Sequence, residues 1–400
     1  MKVIIAGGWA YGNLGDDAIL EATAKLVARH LSGADVHWLT YDVDATRASG
    51  VELAGVLHPS VHRYLDHGRS FWMMQTVGKC TAFARWPRAI QRVYLKYFRK
   101  GQEDRAAKRD VVESCEELFR DADLFIMSGG GYFNVWPTMF EACVREMEWA
   151  HRAGCKVLLI GQSVGPFTAE QKEILRKTLK VTDVCFVRDG ESVAELAGLG
   201  VQAELMPDLA LGFPVEAMIE KGLLTVIPGE LDKRREKVIA DELVKLCRGQ
   251  GGRIRRLQLL TTCSIWSDVM AVRHVAARLA KDGVEAEVVE PLNYRELVKK
   301  VEGSEWVVSR RMHGMVIGWR AGSRVFSFTR SRKIVGLLDL IGCAANICAE
   351  DDWAHLAEKV ERAMEAAREE GKDLRGEIAQ QVDVSFEHAL ERVGINKESK

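Results

Sequence analysis

The stretch Ser309-Arg310-Arg311-Met312-His313-Gly314 gathers a hydroxyl, two guanidinium groups and an imidazole in one short run. Arginine suits phosphate and carboxylate because its donor fork is planar and always charged. Histidine is the side chain best able to carry a proton near neutral pH. Together they suggest a site that holds a small, doubly anionic molecule and protonates it. The plainer alternative makes Arg310 and Arg311 surface cations and His313 a residue at a helix start.

Such a turn needs elements to hold it. Glu305-Trp306-Val307-Val308 reads as a buried strand, and Met315 to Ala321 reads as a helix. A strand-to-helix junction in an α/β sheet lies at the carboxyl end of the strands, where such folds bind ligands. The following helix N-terminus favours anions as well. After the next expected strand, Thr329-Arg330-Ser331-Arg332-Lys333 adds further cations; Lys333 is a candidate anion clamp, and Arg310 of the first turn is a weaker one.

Similar junctions recur from the start of the chain. The first strand, Lys2 to Ala6, leads into Gly7-Gly8-Trp9-Ala10-Tyr11-Gly12-Asn13-Leu14-Gly15-Asp16-Asp17 and then a helix. The glycine spacing is not the dinucleotide fingerprint and no Walker lysine follows. Gly12 and Gly15 could serve tight turning alone, but Asn13, Asp16 and Asp17 bring more polar chemistry than a turn needs. A strand over 124–127 precedes Ser128-Gly129-Gly130-Gly131, whose glycines permit close approach of a ligand or another loop. Gly161-Gln162-Ser163-Val164-Gly165-Pro166, Arg188-Asp189 and Pro207-Asp208-Leu209-Ala210 follow three more strand ends. Several such turns on one rim carry more weight than any one alone.

The strand–helix rhythm divides in two. Residues 1–211 form an expected N-terminal domain and 223–383 a C-terminal one, joined by a linker near 212–222, with 384–400 as a tail. Two α/β domains in tandem are expected to face each other across a cleft. The region 58–109 interrupts the rhythm. It holds Arg85, Arg88, Arg92, Lys96, Arg99 and Lys100 among Trp86, Tyr94, Tyr97 and Phe98. It reads either as a solvated helix face over the core or as a surface that meets anionic lipid or a lipid-linked substrate.

The totals narrow the function. Of 400 residues, 47% are hydrophobic and 28% charged, as in ordinary globular proteins. A formal net charge of -1 gives no global field toward nucleic acid, so any basic surface is local. Nine cysteines, odd in number and without C-x-x-C spacing, fit buried reduced thiols in a cytosolic protein. His58, His62 and His67 lack a convincing metal-ligand context, and no metal is expected. No apolar run approaches a membrane span. The expected location is the cytoplasm, with the inner membrane face a second option through the basic stretch.

In their order, these turns resemble the polysaccharide pyruvyl transferases. The resemblance rests on Gly12-Asn13-Leu14-Gly15-Asp16-Asp17, Ser128 to Gly131, Gly161 to Pro166, Val187-Arg188-Asp189, Pro207 to Ala210 and Ser309-x-Arg311-x-His313-Gly314, and spans roughly Lys2 to Gly342. It implies two Rossmann-like domains in the GT-B arrangement. It implies phosphoenolpyruvate as donor, a sugar as acceptor and a ketal-linked pyruvate as product, with no further cofactor. The motif's Arg311 and His313 are then the donor-side residues.

The chemistry agrees. A ketal made from an enol phosphate needs a general acid, cations for phosphate and carboxylate, and acceptors for the sugar hydroxyl protons. His313 takes the first role, Arg311 and Lys333 the second, and Asp16, Asp17 and Asp208 are candidates for the third. The alternatives are a GT-B nucleotide-sugar glycosyltransferase and a non-catalytic binder of glycan or lipid precursors. Against the last stands His313, since binding alone needs no proton donor.

Overall fold

The computed structural model describes residues 1–10, 12–62, 105–134, 137–249, 253–263, 266–366 and 373–395. The basic aromatic stretch from Arg85 to Lys100 therefore lies outside the described residues, as do His67 and Cys80.

The chain divides into two units. The first comprises Met1–Tyr11, Ile19–Leu209 and Gln381–Lys400; the second comprises Gly12–Ala18 and Ala210–Gln380. The first glycine turn was expected in the N-terminal domain, yet its polar half, Gly12–Ala18, groups with the second unit.

In chain order the first unit carries strands β1 (Lys2–Ala6), β2 (Asp35–Thr40), β3 (Val56–Pro59), β4 (Leu124–Met127), β5 (Lys156–Gln162), β6 (Val184–Val187) and β7 (Glu204–Leu205). Its helices are α1 (Asp17–His30), which starts in the second unit, α2 (Val43–Ala48), α3 (Arg105–Leu118), α4 (Pro137–Arg152), α5 (Ala169–Thr178) and α6 (Gly190–Ala197). The sheet order is β3-β2-β1-β4-β5-β6-β7, with every pairing parallel. Central strands such as Leu124–Met127 are buried at every position, which is why they read as unbroken apolar runs rather than alternating ones. Phe119, Phe125, Phe133, Phe140 and Phe167 pack in the core beside this sheet.

The second unit carries β8 (Glu220–Ile227), α7 (Lys233–Gly249), β9 (Arg256–Leu260), α8 (Trp266–Lys281), β10 (Glu287–Val289), α9 (Tyr294–Val301), β11 (Ser304–Ser309), α10 (Met312–Arg320), β12 (Arg324–Ser327), α11 (Arg332–Leu340) and α12 (Leu356–Ala366). Its sheet order, β10-β9-β8-β11-β12, is again wholly parallel. Both sheets are thus Rossmann-like. Every residue of α10 is buried. Two glycines let it lie close to the sheet: a Cβ on Gly314 would stand 2.4 Å from Ile227 Cδ1, and one on Gly318 2.6 Å from Val307 Cγ2.

The last helix, α13 (Arg375–Arg392), corrects the expected tail at 384–400, because it runs unbroken through 384–392. Ile378, Val382, Phe386, Ala389 and Leu390 bury its apolar side. In the first unit Asp383 accepts from Arg29 Nη1 at 2.7 Å and lies 2.9 Å from His30 Nε2.

Candidate active site

In the second sheet, β8 and β11 are neighbours from which the chain departs in opposite directions, β8 toward β9 and β11 toward β12. Such a switch point leaves a crevice at the carboxyl ends of the strands. The rim around it is built by one repeated device. Ser309, the last residue of β11, accepts from Arg311 N and donates to Arg311 O, both at 2.8 Å. Thr261 does the same with Cys263, and Ser327 with Thr329. In each case a strand-end hydroxyl holds the backbone two residues on and turns the chain out of the sheet.

Arg311 is the residue before α10, in extended backbone, and its side chain makes no capping hydrogen bond to the helix's first N–H groups. Those donors and the helix dipole face the turn. Its Nε donates to Asp268 Oδ2 at 2.9 Å and its Nη2 to the same oxygen at 2.6 Å. Asp268 is 1% exposed, the Arg311 side chain 36%. Burial pushes the Asp268 carboxyl up, against the pull of Arg311. Burial acts to lower the Arg311 guanidinium, but Asp268 outweighs it and the net direction is up. The sequence reading missed Asp268. Its only signal was an acidic residue near the start of an expected helix, and nothing in the chain pointed it at Arg311.

Arg310 faces elsewhere. It donates to Glu230 O and, at 3.0 Å, to Glu350 Oε1, and its guanidinium sits 5.2 Å from the centre of the Trp353 ring. These contacts make it a brace for the loops rather than the anion clamp expected of it. Lys333 lies exposed in the first turn of α11.

His313 meets the segment from the chain's beginning. Its Nδ1 lies 3.0 Å from Asp16 Oδ1, with the two side chains 9% and 15% exposed. Asn13 Nδ2 donates to Asp16 Oδ2 at 2.9 Å, while Asn13 Oδ1 accepts from Gly15 N at 3.3 Å. Leu14 N donates to Thr262 O at 2.9 Å, and Asn13 bridges to Cys263. Gly15 must be glycine here, since a Cβ would stand 2.8 Å from His313 Cβ. Gly12 has a φ of 93°, and Asp17 is buried. Thr262, 1% exposed, has a buried Oγ1 with no hydrogen-bond partner among the described residues.

The remaining expected residues lie in the first unit, where packing accounts for much of their chemistry. Gly130 and Gln162 form a bridge, Ser163 N donates to Gly130 O at 2.7 Å, and a Cβ on Gly129 would stand 3.0 Å from Gly161 O. The close approach these glycines permit is made by another loop. Gly131 lies under Arg188, whose Nη2 would be 3.5 Å from an added Cβ. Arg188 Nε donates to Ser163 Oγ at 2.7 Å and its Nη1 to Asp208, both members of the ion pair being buried. Arg188 and Asp208 thus neutralise each other.

The sequence reading also missed Glu146, on α4. It is 4% exposed, accepts from Ser60 Oγ at 2.8 Å, and burial pushes its carboxyl up to about 7. It lines a small pocket with Gly7, Gly8, His62, Tyr132 and Gln162. Gln162 Nε2 donates to Ser128 O, and its buried Oε1 has no partner among the described residues. The space left is about 20 Å³, room for one water. Among the described residues, no three histidine, cysteine, aspartate or glutamate side chains converge on a metal position.

Solved structures similar to this chain share its architecture across nearly its whole length. UDP-GlcNAc 2-epimerase from Neisseria meningitidis, bound to UDP-GlcNAc, aligns with a TM-score of 0.57 at 9% identity, covering 99% of this chain and 100% of that one. The UDP-GlcNAc 2-epimerase of Methanocaldococcus jannaschii gives 0.57 at 9%, covering 97% and 100%. A UDP-forming α,α-trehalose-phosphate synthase from Burkholderia xenovorans gives 0.53 at 11%, covering 98% of each. These are GT-B-type folds, and at such identities the likeness shows the fold alone. No curated protein matches the chain. The model of the polysaccharide pyruvyl transferase family matches residues 13–332, from the Asn13 of the first turn past the Ser309–Gly314 turn, and the chain belongs to that family.

Proposed function

We propose that the protein moves pyruvate from phosphoenolpyruvate onto a sugar of a cell-surface polysaccharide or its precursor, forming a ketal and releasing phosphate. The observation that carries this reading is the pairing, on one turn at a sheet's switch point, of a partly exposed arginine with a histidine at an uncapped helix start. That arrangement suits a substrate with two anionic groups and one carbon to be protonated.

The reaction balances with two sugar hydroxyls and no cofactor. His313 gives a proton to carbon 3 of the enol, which becomes the methyl group. Carbon 2 then bonds to both hydroxyl oxygens as its bond to the phosphate oxygen breaks. Of the two hydroxyl protons, one restores His313 and the other leaves on phosphate. Arg311 holds one anionic group through the guanidinium edge that Asp268 does not use, and Lys333 is the second cation. The backbone N–H groups at the start of α10 add to both. Arg310 is given no part in this, because its two terminal nitrogens are turned to Glu230 and Glu350.

The rival reading is a nucleotide-sugar glycosyltransferase, a class that also uses this fold. Mass spectrometry of candidate sugar acceptors incubated with protein and phosphoenolpyruvate separates the two. The expected result is an acceptor that gains one ketal-linked pyruvate as phosphate appears. Transfer of a sugar with nucleoside diphosphate release, and none from phosphoenolpyruvate, overturns it.

The composition of 85–109 further supports contact with an anionic membrane surface that presents a lipid-linked acceptor. Among the described residues no helix is long and apolar enough to cross a membrane. Sedimentation with anionic vesicles tests the contact. Equal binding by wild type and a variant with Arg88, Arg92 and Lys96 changed to Glu removes it.

A further inference from the structure

Asp16 was expected among the groups that receive sugar hydroxyl protons, but its two oxygens are both engaged elsewhere. Oδ2 accepts from the Asn13 amide at 2.9 Å, and Oδ1 faces His313 Nδ1 at 3.0 Å. An ionised carboxylate only accepts hydrogen bonds, so the imidazole nitrogen opposite it must be the one that carries hydrogen. The tautomer follows, and with it the working atom: Nδ1–H belongs to Asp16, and Nε2 is the nitrogen that exchanges a proton with substrate.

The surroundings hold this contact in place. Leu14 N is tied to Thr262 O, Asn13 bridges to Cys263, and Gly15 lets the segment lie against the His313 Cβ. Asn13 closes the loop on itself by accepting from Gly15 N while it donates to Asp16. All of these residues belong to the second unit. The Gly12-Asn13-Leu14-Gly15-Asp16 turn, more than 290 residues from His313 in sequence, is built as a bracket for the imidazole.

We propose that Asp16, steadied by Asn13, is the positioning residue of His313: it holds the ring in the Nδ1–H tautomer and orients Nε2 toward the carbon that is protonated. In this role Asp16 exchanges no proton itself, and the proton delivered to the substrate carbon is the one on Nε2. The carboxylate also stabilises the imidazolium that must form before each proton delivery. Among the described residues, Asp16 from the first turn faces the ring, and Arg311 belongs to the ring's own turn. Asp268 and Cys263 lie behind Arg311. Asp16 lies within hydrogen-bond distance of the ring, at 3.0 Å from Nδ1. The proposal rests on the proton-donor reading of His313.

The bland alternative is that the Asp16–His313 contact merely fastens the first turn to the second unit. Asp16→Asn separates the two, because it keeps size and shape, so a fastening role loses little. A positioning role loses the acceptor at Nδ1, and the amide can instead donate there, reversing the tautomer. In the histidine–aspartate pair of serine proteases that swap costs about 10⁴-fold in turnover.

Here Asp16→Asn should lower kcat by roughly 10²–10⁴-fold and leave the phosphoenolpyruvate Kd within about threefold. The limb of the pH–rate profile that reports the imidazole should move to lower pH, because a carboxylate favours the charged ring. Asn13→Ala should give a smaller loss of the same kind, and thermal unfolding of Asp16→Asn should stay near wild type.

A second readout needs no activity. Imidazole ¹⁵N spectra of the whole protein, with His313 assigned among the ten histidines by comparison with His313→Gln, should show Nδ1–H in wild type and a changed tautomer in Asp16→Asn. A wild-type ring protonated at Nε2 alone, or an Asp16→Asn variant with unchanged tautomer and near wild-type turnover, overturns the proposal. If wild type transfers no pyruvate while the spectra behave as stated, the functional reading fails and the Asp16–His313 coupling stands.

Discussion

At the switch point between β1 and β4 of the first unit, and again between β8 and β11 of the second, the same strand order leaves a crevice at the sheet's carboxyl edge. The two are finished in opposite ways. In the first unit the glycine turns pack on one another, the Tyr132 ring fills the space beside Gly8 and Gly130, and Arg188 is neutralised by Asp208. What remains is a small pocket around the buried Glu146. In the second unit the helix start is left uncapped, Arg311 stays partly exposed, and a histidine is held by a carboxylate. A shared topology offers two crevices, and the local residues decide which one can do chemistry on an anion.

The strongest way to break that contrast is to remove His313, the proposed proton carrier. His313→Ala should lower turnover by roughly 10²–10⁴-fold, the usual worth of a general acid, with donor binding little changed. Glu146→Gln, in the other crevice, should leave turnover near wild type in steady-state kinetics. Comparable losses in both variants would erase the distinction.

Arg311 sharpens it. Arg311→Ala should weaken donor binding by about 10- to 100-fold, from loss of a charge-assisted contact worth about 1.5–3 kcal/mol. It should also destabilise the fold by about 3–5 kcal/mol, since it strands a buried carboxylate at Asp268. Arg311→Lys should rescue donor binding only in part, because an ammonium cannot reproduce the fork. The double change Arg311→Ala with Asp268→Asn should recover stability and not donor binding. Calorimetric titration beside denaturant melts reads both effects.

Glu146 should reveal the first crevice through pH. Its folded-state pKa of about 7 stands above the ordinary 4.5 because burial disfavours the charge. The folded state therefore keeps a proton that the unfolded chain releases. This contribution to stability is fully present below about 4.5 and is lost as pH rises through about 7, by at most about 3 kcal/mol. Glu146→Gln should remove this slope, so the stability difference between variant and wild type should grow in the variant's favour from pH 4.5 to 8. A constant difference across that range would mean that Glu146 is already ionised at low pH.

The smallest effect belongs to Arg310. Arg310→Ala should cost about 1–2 kcal/mol of stability by losing Glu350 and the Trp353 face, with unchanged donor affinity by titration. A donor defect matching that of Arg311→Ala would restore Arg310 as a clamp.

Much of this was legible in the sequence because buried parallel strands are unbroken apolar runs. Lys2–Ala6, Leu124–Met127 and Val184–Val187 stand where the pattern puts them. The edge strands β3 and β7 were not legible, since Val56–Pro59 and Glu204–Leu205 are short and partly exposed and lack that run. The last helix was obscured by its mixed composition, although its apolar residues recur at helical spacing from Ile378 to Leu390. Of the candidate site, the types and spacing of Arg311 and His313 were visible. Which of two adjacent arginines faces the crevice was not, because that depends on Asp268, Glu350 and Trp353 from distant parts of the chain. Nor does a sequence show that one half of a glycine turn leaves its own domain to meet His313.

Under the proposed function, the donor binds at the second crevice and not the first. Hydrogen exchange of the whole protein with and without phosphoenolpyruvate measures this directly. The expected result is slowed exchange at residues 309–314 and at Gly229, whose backbone lies beside the Arg311 guanidinium, with residues 7–8 and 128–132 unchanged. Slowed exchange confined to 7–8 and 128–132, with 309–314 unaffected at saturating donor, would contradict it.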